Sequence, residues 1–336
     1  MLDKDKEIIC SVSIIIVAFN NKDLLAETLH SLSNQTYRDF EIIVVDNNSP
    51  DGTSDLMKTV FQEISYMRSD VNLGFSGGNN LGLKHARGEY VALLNNDAVA
   101  QPSWLGTLVK AMNEAPDVGI CASKMLVFGT ELIDSAGDGF SSSLKGFKRG
   151  EGLPSSSYDE CEYVFGACAG AALYRRTMLN EIGFLDNDFF LIHEDADLNF
   201  RAQLAGWKVL YVPTAVVYHK VRSTIGHMSD TAVYYTLRNS EFVRIKNVPF
   251  QLFLRTLPAF ILGMIFEFIY FVIRHKKFKL YAKAKLDVLK KLGIMLDKRK
   301  EIMSMKKVNG GYLRSIMTPV WEREFFLQKL KKFFSE

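Results

Sequence analysis

Three short apolar runs, each closed by a polar turn rich in Asp and Asn, constrain this chain more than any other feature. Val12 to Ala18 (VSIIIVA), Phe40 to Val45 (FEIIVV) and Tyr90 to Leu94 (YVALL) are strongly apolar, the first two rich in β-branched side chains, and too short for typical helices. They read as strands buried on both faces, the pattern of a parallel sheet. Between the first two, Leu25, Thr28, Leu29 and Leu32 recur at i, i+3, i+4 and i+7, which is a helix face. Pro102 suits the first turn of a further helix. Strands alternating with helices predict an α/β fold with right-handed crossovers. Further on, Gly129 to Ser157 reads as a long Gly/Ser-rich loop near a binding face, and Trp207 to Val212 as a strand that stops before Pro213.

Open α/β sheets bind ligands at the carboxyl ends of their strands. Asp46 closes the second run and Asp97 follows the third, so both are expected in one crevice, although a lone Asp there also serves as a helix cap. Asn72 to Asn80 (NLGFSGGNN) lies between them. Its glycines permit positive φ and close backbone approach to a ligand, and its amides donate and accept, but it equally suits a turn before a helix. It has neither a Walker A loop nor the dinucleotide G-x-G-x-x-G spacing. Glu194, Asp195 and Asp197 crowd together after the apolar FFLI run. They are either an acidic helix start or partly buried carboxylates with raised pKa, suited to general-base work. His219 ends the run Ala215 to Tyr218; a lone His is more often structural, but beside Asp97 it can share a cation. His193 is a weaker candidate.

Composition excludes several classes. With 336 residues, 48% hydrophobic and 24% charged, the chain is neither disordered nor fibrous. Cys10, Cys121, Cys161 and Cys168 are too dispersed for a zinc site and are expected to be reduced thiols. Met1 to Glu7 is charged and the apolar run beyond it reads as a strand, so no signal peptide is expected. The net charge of +3 hides an asymmetry, since Arg274 to Glu336 holds 18 Lys/Arg against 6 Asp/Glu, leaving −9 on the rest. Such a tail suits an anionic partner; an acidic body without a recognition motif argues against nucleic acid. Phe250 to Ile273 is aromatic and aliphatic, interrupted by Arg255, Pro258 and Glu267, so it is expected either to be a buried helix pair or to lie on a membrane. His275 to Lys300 reads as a basic amphipathic helix suited to an anionic leaflet.

Together these segments resemble the family-2 glycosyltransferases with a GT-A fold, and most closely their rhamnosyltransferase-like branch. The resemblance runs through VSIIIVAFNN (12–21), FEIIVVDNNSPDGT (40–53), NLGFSGGNNLGLKHARGEYVALLNNDAV (72–99) and GACAGAALYRR (166–176), then GFLDNDFFLIHEDADLNFRAQLAGWKVLYVPTAVVYHK (183–220) and RNSEFVRIKNVP (238–249). It implies a Rossmann-like, mostly parallel central sheet with flanking helices over residues 1–249, with a donor half to about residue 100 and an acceptor half beyond. Residues 250–336 would form a helical, membrane-associating C-terminal region at the cytoplasmic face of the cell membrane, peripheral or monotopic. The resemblance further implies inverting transfer of a single sugar from a nucleotide-diphosphate donor to a lipid-linked or cell-surface polysaccharide acceptor, with Mn²⁺ or Mg²⁺. The branch points to L-rhamnose from its dTDP donor; galactofuranose, glucose, galactose and N-acetylhexosamine stay open. By the same carry-over Ala18, Asn20, Asp46, Asn72 and Asn95 contact the donor, Asp97 and His219 hold the metal, and Asp195 beside Glu194 is the catalytic base. Asn95 departs from the family's Asp-x-Asp pattern, which leaves direct carboxylate ligation to Asp97. A nucleotidyltransferase fits less well, because no Gly-rich basic loop follows the first strand. A non-catalytic binding scaffold is disfavoured by the intact acids at 194 and 195.

Overall fold

β1 (Cys10–Ala18), α1 (Lys22–Ser33), β2 (Phe40–Asp46), α2 (Thr53–Thr59), β3 (Ser65–Arg68), α3 (Gly74–Leu83) and β4 (Gly88–Leu94) alternate along the first hundred residues of the computed structural model. All four strands are parallel, in the order β3-β2-β1-β4. Leu25, Thr28, Leu29 and Leu32 are buried, so the helix face read from the sequence is the one α1 lays on the sheet. The structure describes residues 9–221, 226, 228–322 and 325–326; the charged stretch before Ile8 and the end of the basic tail lie outside them.

The 72–80 segment is the helix start offered as its alternative reading, with positive φ at Gly74 as its glycines allow. Gly74 (φ +70) starts α3, and a side chain there would strike the Phe190 backbone. A Cβ on Gly78 would come within 2.7 Å of Val17, because α3 lies directly on the sheet. These glycines therefore seat a helix on β1, while Asn72 keeps its place at the helix entrance.

β5 (Ala98–Ala100), α4 (Trp104–Glu114), β6 (Val118–Val127), β7 (Ile133–Ala136), β8 (Asp138–Phe140), β9 (Gly146–Lys148), β10 (Glu162–Val164), β11 (Ala171–Arg175), α5 (Arg176–Ile182), α6 (Glu194–Leu204) and β12 (Lys208–His219) follow. The full sheet runs β10-β12-β6-β11-β4-β1-β2-β3, with β5 on β12 and β7 on β6; β8 and β9 form a separate hairpin. β11 is antiparallel to both its neighbours, so the sheet is mixed though mostly parallel. The stretch read as a Gly/Ser-rich loop thus contributes a sheet strand and a hairpin. β12 also runs straight through Pro213, where the expected strand stopped. Its register against β6 shifts between Val212 and Val216, an irregularity that lets a strand tolerate a residue without an N–H.

α7 (Asp230–Asn247), α8 (Phe250–Phe268), α9 (Phe278–Lys290), α10 (Leu292–Ser304) and α11 (Gly310–Ser315) close the fold. Leu252, Val288, Met295, Ile302, Leu313 and Met317 share one core cluster with Phe140, Phe165, Phe189, Phe200 and Phe242, so this region packs against the part of the chain after residue 100. Pro258 does not break α8. The carbonyl that loses its partner belongs to Leu254, which is 51% exposed and open to solvation. Glu267 does not interrupt the apolar outer surface either, because it turns inward to Lys145 and Lys285. Phe250–Arg274 is one continuous helical segment, long and apolar enough to cross a membrane by length and composition. About 22% of its apolar window is buried, so the segment packs on the domain along one side, through Leu252 and its neighbours, and leaves an apolar face outside. The expected single amphipathic helix is two, α9 and α10, and several of its lysines point inward. Lys291 and Lys298 pair with Asp186 and Asp188, and Lys285 with Glu241 and Glu267.

Candidate active site

One antiparallel ladder assembles the polar end of the crevice. β5 pairs with β12 so that Ala98 faces His219, which places the turn ending at Asp97 against the end of β12. His219 Nε2 lies 3.2 Å from Asp97 Oδ1 and 3.4 Å from the Asn95 amide nitrogen. Its other nitrogen, Nδ1, is 2.8 Å from Asp134 Oδ2, a residue of β7 that sequence reasoning did not single out. Asp134 in turn pairs with Lys148 of β9 at 2.7 Å. Burial disfavours the charged imidazole, yet hydrogen bonds to Asp134 and Asp97 outweigh it and raise its pKa to about 9. Burial likewise opposes ionisation of Asp134, but His219 and Lys148 bring its carboxyl down to about 2.

This group fits a divalent cation. Asp97 Oδ1 is buried and has the His219 imidazole at 3.2 Å as its ion-pair contact. Asp134, by holding Nδ1–H, would turn neutral Nε2 toward the ion, the carboxylate–histidine–metal arrangement. Among the described residues no cluster of three or more His, Cys, Asp or Glu is arranged to hold a metal. With Asp97 and His219 as its protein donors, a hard cation here would take the rest of its ligands from a bound molecule's oxygens and from water.

Asn72, Asn95, Asp97 and His219, named from the sequence, all line a cavity of about 1150 Å³, together with Asn47, Asn96, Lys145 and Lys148. Ala18, Asn20 and Asp46 are not on its wall. Ala18 is fully buried in β1. Asn20 is held behind the wall, its carbonyl accepting from the Asn96 amide at 3.3 Å. Asp46 is also fully buried and accepts from Ser49 N–H (2.7 Å), the Tyr66 hydroxyl (2.9 Å) and Arg68 (2.8 Å). It can meet a nucleobase only by exchanging one of these partners, and Arg68 is the one at the surface. Nor is it the helix cap of the alternative reading, since α2 begins at Thr53 behind Gly52; its carboxylate ties the end of β2 to the turn at Ser49 and to β3.

The acid cluster opens α6 and divides by environment. Asp197 faces inward to Arg201 (3.0 Å), Lys246 (2.7 Å) and Asn247 (2.8 Å), and this pairing outweighs burial to hold its carboxyl below the usual range. It is structural and does not crowd Asp195. Glu194 is buried, its Oε2 without a hydrogen-bond partner, and burial with the Asp195 charge raises its pKa to about 8. Asp195 stays partly exposed and accepts from Ala196 N–H at 2.7 Å; burial still raises its pKa. Neither Glu194 nor Asp195 is on the cavity wall as it stands; Lys148, which is, lies close enough to bias Asp195 electrostatically. Asp138 of β8, also missed, is the second carboxylate beside Asp195, and burial plus that charge push it up. Nothing local in the sequence marks Asp134, Asp138 or Lys148, because their roles depend on strand pairings across the 129–157 excursion.

Residues 13–183, just over half of the chain, match the model of Glycosyl transferase family 2, and the chain belongs to that family. A Campylobacter jejuni protein described as GalNAc(5)-diNAcBac-PP-undecaprenol beta-1,3-glucosyltransferase is 33% identical over 131 residues, covering 38% of this chain and 40% of the relative. Matches to curated relatives span from 18% to 67% of those proteins' own length. Among solved structures, S. aureus TarS 1–349 in complex with UDP-GlcNAc superposes with a TM-score of 0.58 at 18% identity, covering 88% of this chain and 90% of that one. GalNAc-T7 with UDP, GalNAc and Mn²⁺ gives 0.56 at 18% identity, covering 71% and 48%. At such identities these structures speak for the shared fold alone.

Proposed function

We propose that this chain is an inverting, metal-dependent transferase that moves one sugar from a nucleoside-diphosphate donor to a lipid-linked or polysaccharide acceptor. It would work at the cytoplasmic face of a membrane. The observation that carries the reading is the Asp97–His219–Asp134 relay in the wall of the cavity, with Asp195 behind the Lys148 side of that wall. Asp97 and His219 would hold Mn²⁺ or Mg²⁺; a cation there offsets the charge that develops on a departing diphosphate. A histidine donor favours Mn²⁺. Asn72 and Asn95 orient the donor through their amides. Asp195 takes the proton of the acceptor hydroxyl, which leaves Glu194 protonated beside it at neutral pH; one ionised and one neutral carboxyl divide the roles by environment. Lys148 keeps the ionised form of Asp195 accessible despite burial.

The branch resemblance supports dTDP-L-rhamnose as donor, and the Campylobacter relative's printed substrate supports a polyprenyl-linked acceptor. The exposed apolar face of α8 supports the membrane location. A panel of sugar nucleotides, scored by release of nucleoside diphosphate with Mn²⁺ and again after chelation, tests the proposal. Release from one donor that stops on chelation is expected. Release that survives complete chelation would remove the metal from the account.

A further inference from the structure

The cavity has two chemically distinct parts. Its polar end is formed by Asn47, Asn72, Asn95, Asp97 and His219. The rest runs between α7, α8 and the Ser143–Lys148 segment, with Val233, Ala259, Leu262, Phe266, Tyr270 and Phe271 on the wall. Its volume of about 1150 Å³ exceeds the roughly 300–1,000 Å³ of ordinary small-ligand pockets, and a nucleotide sugar has no use for so apolar a limb. We infer that this limb seats the lipid phosphate of the acceptor, with Lys145 facing the phosphate and the chain leaving past Leu262 and Phe266. The inference rests on the transferase reading above and deepens it by placing the acceptor.

The first support is the double-faced character of α8. Ala259 and Gly263, with Tyr270 in the helical turn that continues α8, recur at helical spacing on the cavity side. Leu254, Ile261, Ile265 and Phe268 recur on the opposite side and are 40–51% exposed. Leu262 and Phe266 lie at the border between the two faces, each 42% exposed while also lining the cavity. A hydrocarbon chain passing between them goes from one apolar surface to another without crossing a polar barrier. Gly263 keeps this wall close to the active-site segment, since a Cβ there would come within 2.7 Å of Ser143.

The second support is charge. Beside the limb, Lys145, Arg244 and Lys285 pair, among the described residues, with two carboxylates, Glu241 and Glu267, of which Glu267 also lines the cavity next to Lys145. Arg244 is 8% exposed in its side chain and Glu267 2%, so the surplus positive charge sits in poorly solvated surroundings, where an added anion is favoured. Of the three cations only Lys145 lines the cavity, 34% exposed, 3.2 Å from Glu267. Lys148, the second cation on the wall, is already engaged by Asp134 on the metal side. A phosphate drawn to Lys145 would hold the acceptor's first sugar toward the metal and base, with its lipid toward α8. The chain's own end is the competing occupant, because Val320, Phe325 and Phe326 also line the cavity and Phe325 packs on Phe147 at 4.7 Å.

Binding of farnesyl diphosphate to the full-length protein in detergent and excess EDTA tests the assignment, with farnesol and inorganic pyrophosphate as comparators. Farnesyl diphosphate is expected to bind at least about tenfold more tightly than either comparator. Lys145→Gln should erase its advantage over farnesol. Leu262→Trp, a rim change, should weaken both prenyl compounds and leave pyrophosphate alone, with thermal unfolding close to that of the parent. Equal affinity for farnesol and farnesyl diphosphate would overturn the inference, as would indifference to both substitutions, which would mean adsorption to the outer face or a limb filled by the chain's own C-terminal segment. Binding of dTDP and UDP with Mn²⁺ is measured on the same protein preparation without EDTA. Its loss sinks the transferase reading, whereas farnesyl diphosphate failing while a nucleotide binds sinks only the placement of the lipid.

Discussion

At the residue scale, the site is a set of paired decisions about charge. Asp134 touches no substrate position but fixes which nitrogen of His219 is available, and such supporting carboxylates are worth about 10–100-fold in metal affinity. Asp134→Asn should therefore raise the Mn²⁺ concentration needed for half-maximal activity by about that factor, with turnover at saturating metal much less affected. An unchanged metal titration would show that Asp134 only pairs Lys148. Glu194 offers a sharper contrast. With a pKa raised to about 8 it is mostly protonated at neutral pH, so Glu194→Gln should keep most of the turnover measured at pH about 7. A collapse as severe as that expected for Asp195 would make Glu194 the base. The meeting of Asn95 and Asp97 with His219 was legible in the sequence because the first two follow β4 and the last ends β12, and such strand ends converge. Asp134 and Asp138 were not, since a buried acid inside a Gly/Ser-rich stretch carries no periodic signal. Asp46 was legible as a strand-end acid, but its occupation by Tyr66 and Arg68 depends on β3 lying beside β2.

Among the elements, the parallel half was readable because its strands are continuous apolar runs and α1 shows its buried face plainly. The antiparallel strand β11 and the hairpin β8–β9 were not, because short strands of small residues have weak patterns. Helix α8 was misjudged at Pro258 and Glu267, as a sequence does not say which face a charge occupies. α10 shows the same lesson in a testable form. Burial opposes ionisation of Asp186 and Asp188, yet Lys246 with Lys298, and Lys291 with Lys298, outweigh it and hold both carboxyls below the usual range. A carboxyl depressed in the folded state stabilises that state above its unfolded pKa, about 3.9, and the contribution fades as pH falls through the folded value. Hydrogen-exchange protection of α10 should accordingly fall below pH about 4 before that of β1 does. Simultaneous loss in both elements would mean that these pairs do not hold α10 separately.

Over the whole molecule, the acidic body and basic tail partly neutralise each other, which the charge count alone could not reveal. Lys285, Lys291 and Lys298 are paired with acids of the body, so the attraction to an anionic membrane that we propose would rest on the remaining surface cations. Removing residues after Pro249 would strip Leu252, Val288 and Met295 from a shared core, so membrane docking is better tested on that face. The double variant Ile261→Asp, Ile265→Asp should abolish flotation with anionic liposomes at low salt, while the parent floats and is released as salt rises. A parent that stays soluble under those conditions would contradict the membrane location. The central claim is that Asp195, which lies off the cavity wall, takes the acceptor proton in a sugar transfer whose donor is bound in the cavity. Its most direct test is to measure donor affinity and turnover for Asp195→Asn side by side with the parent, on whichever sugar nucleotide the parent consumes. The account predicts donor affinity within a few-fold and turnover lower by about 10²–10⁴. Turnover near that of the parent, or loss of donor binding in step with turnover, would contradict it.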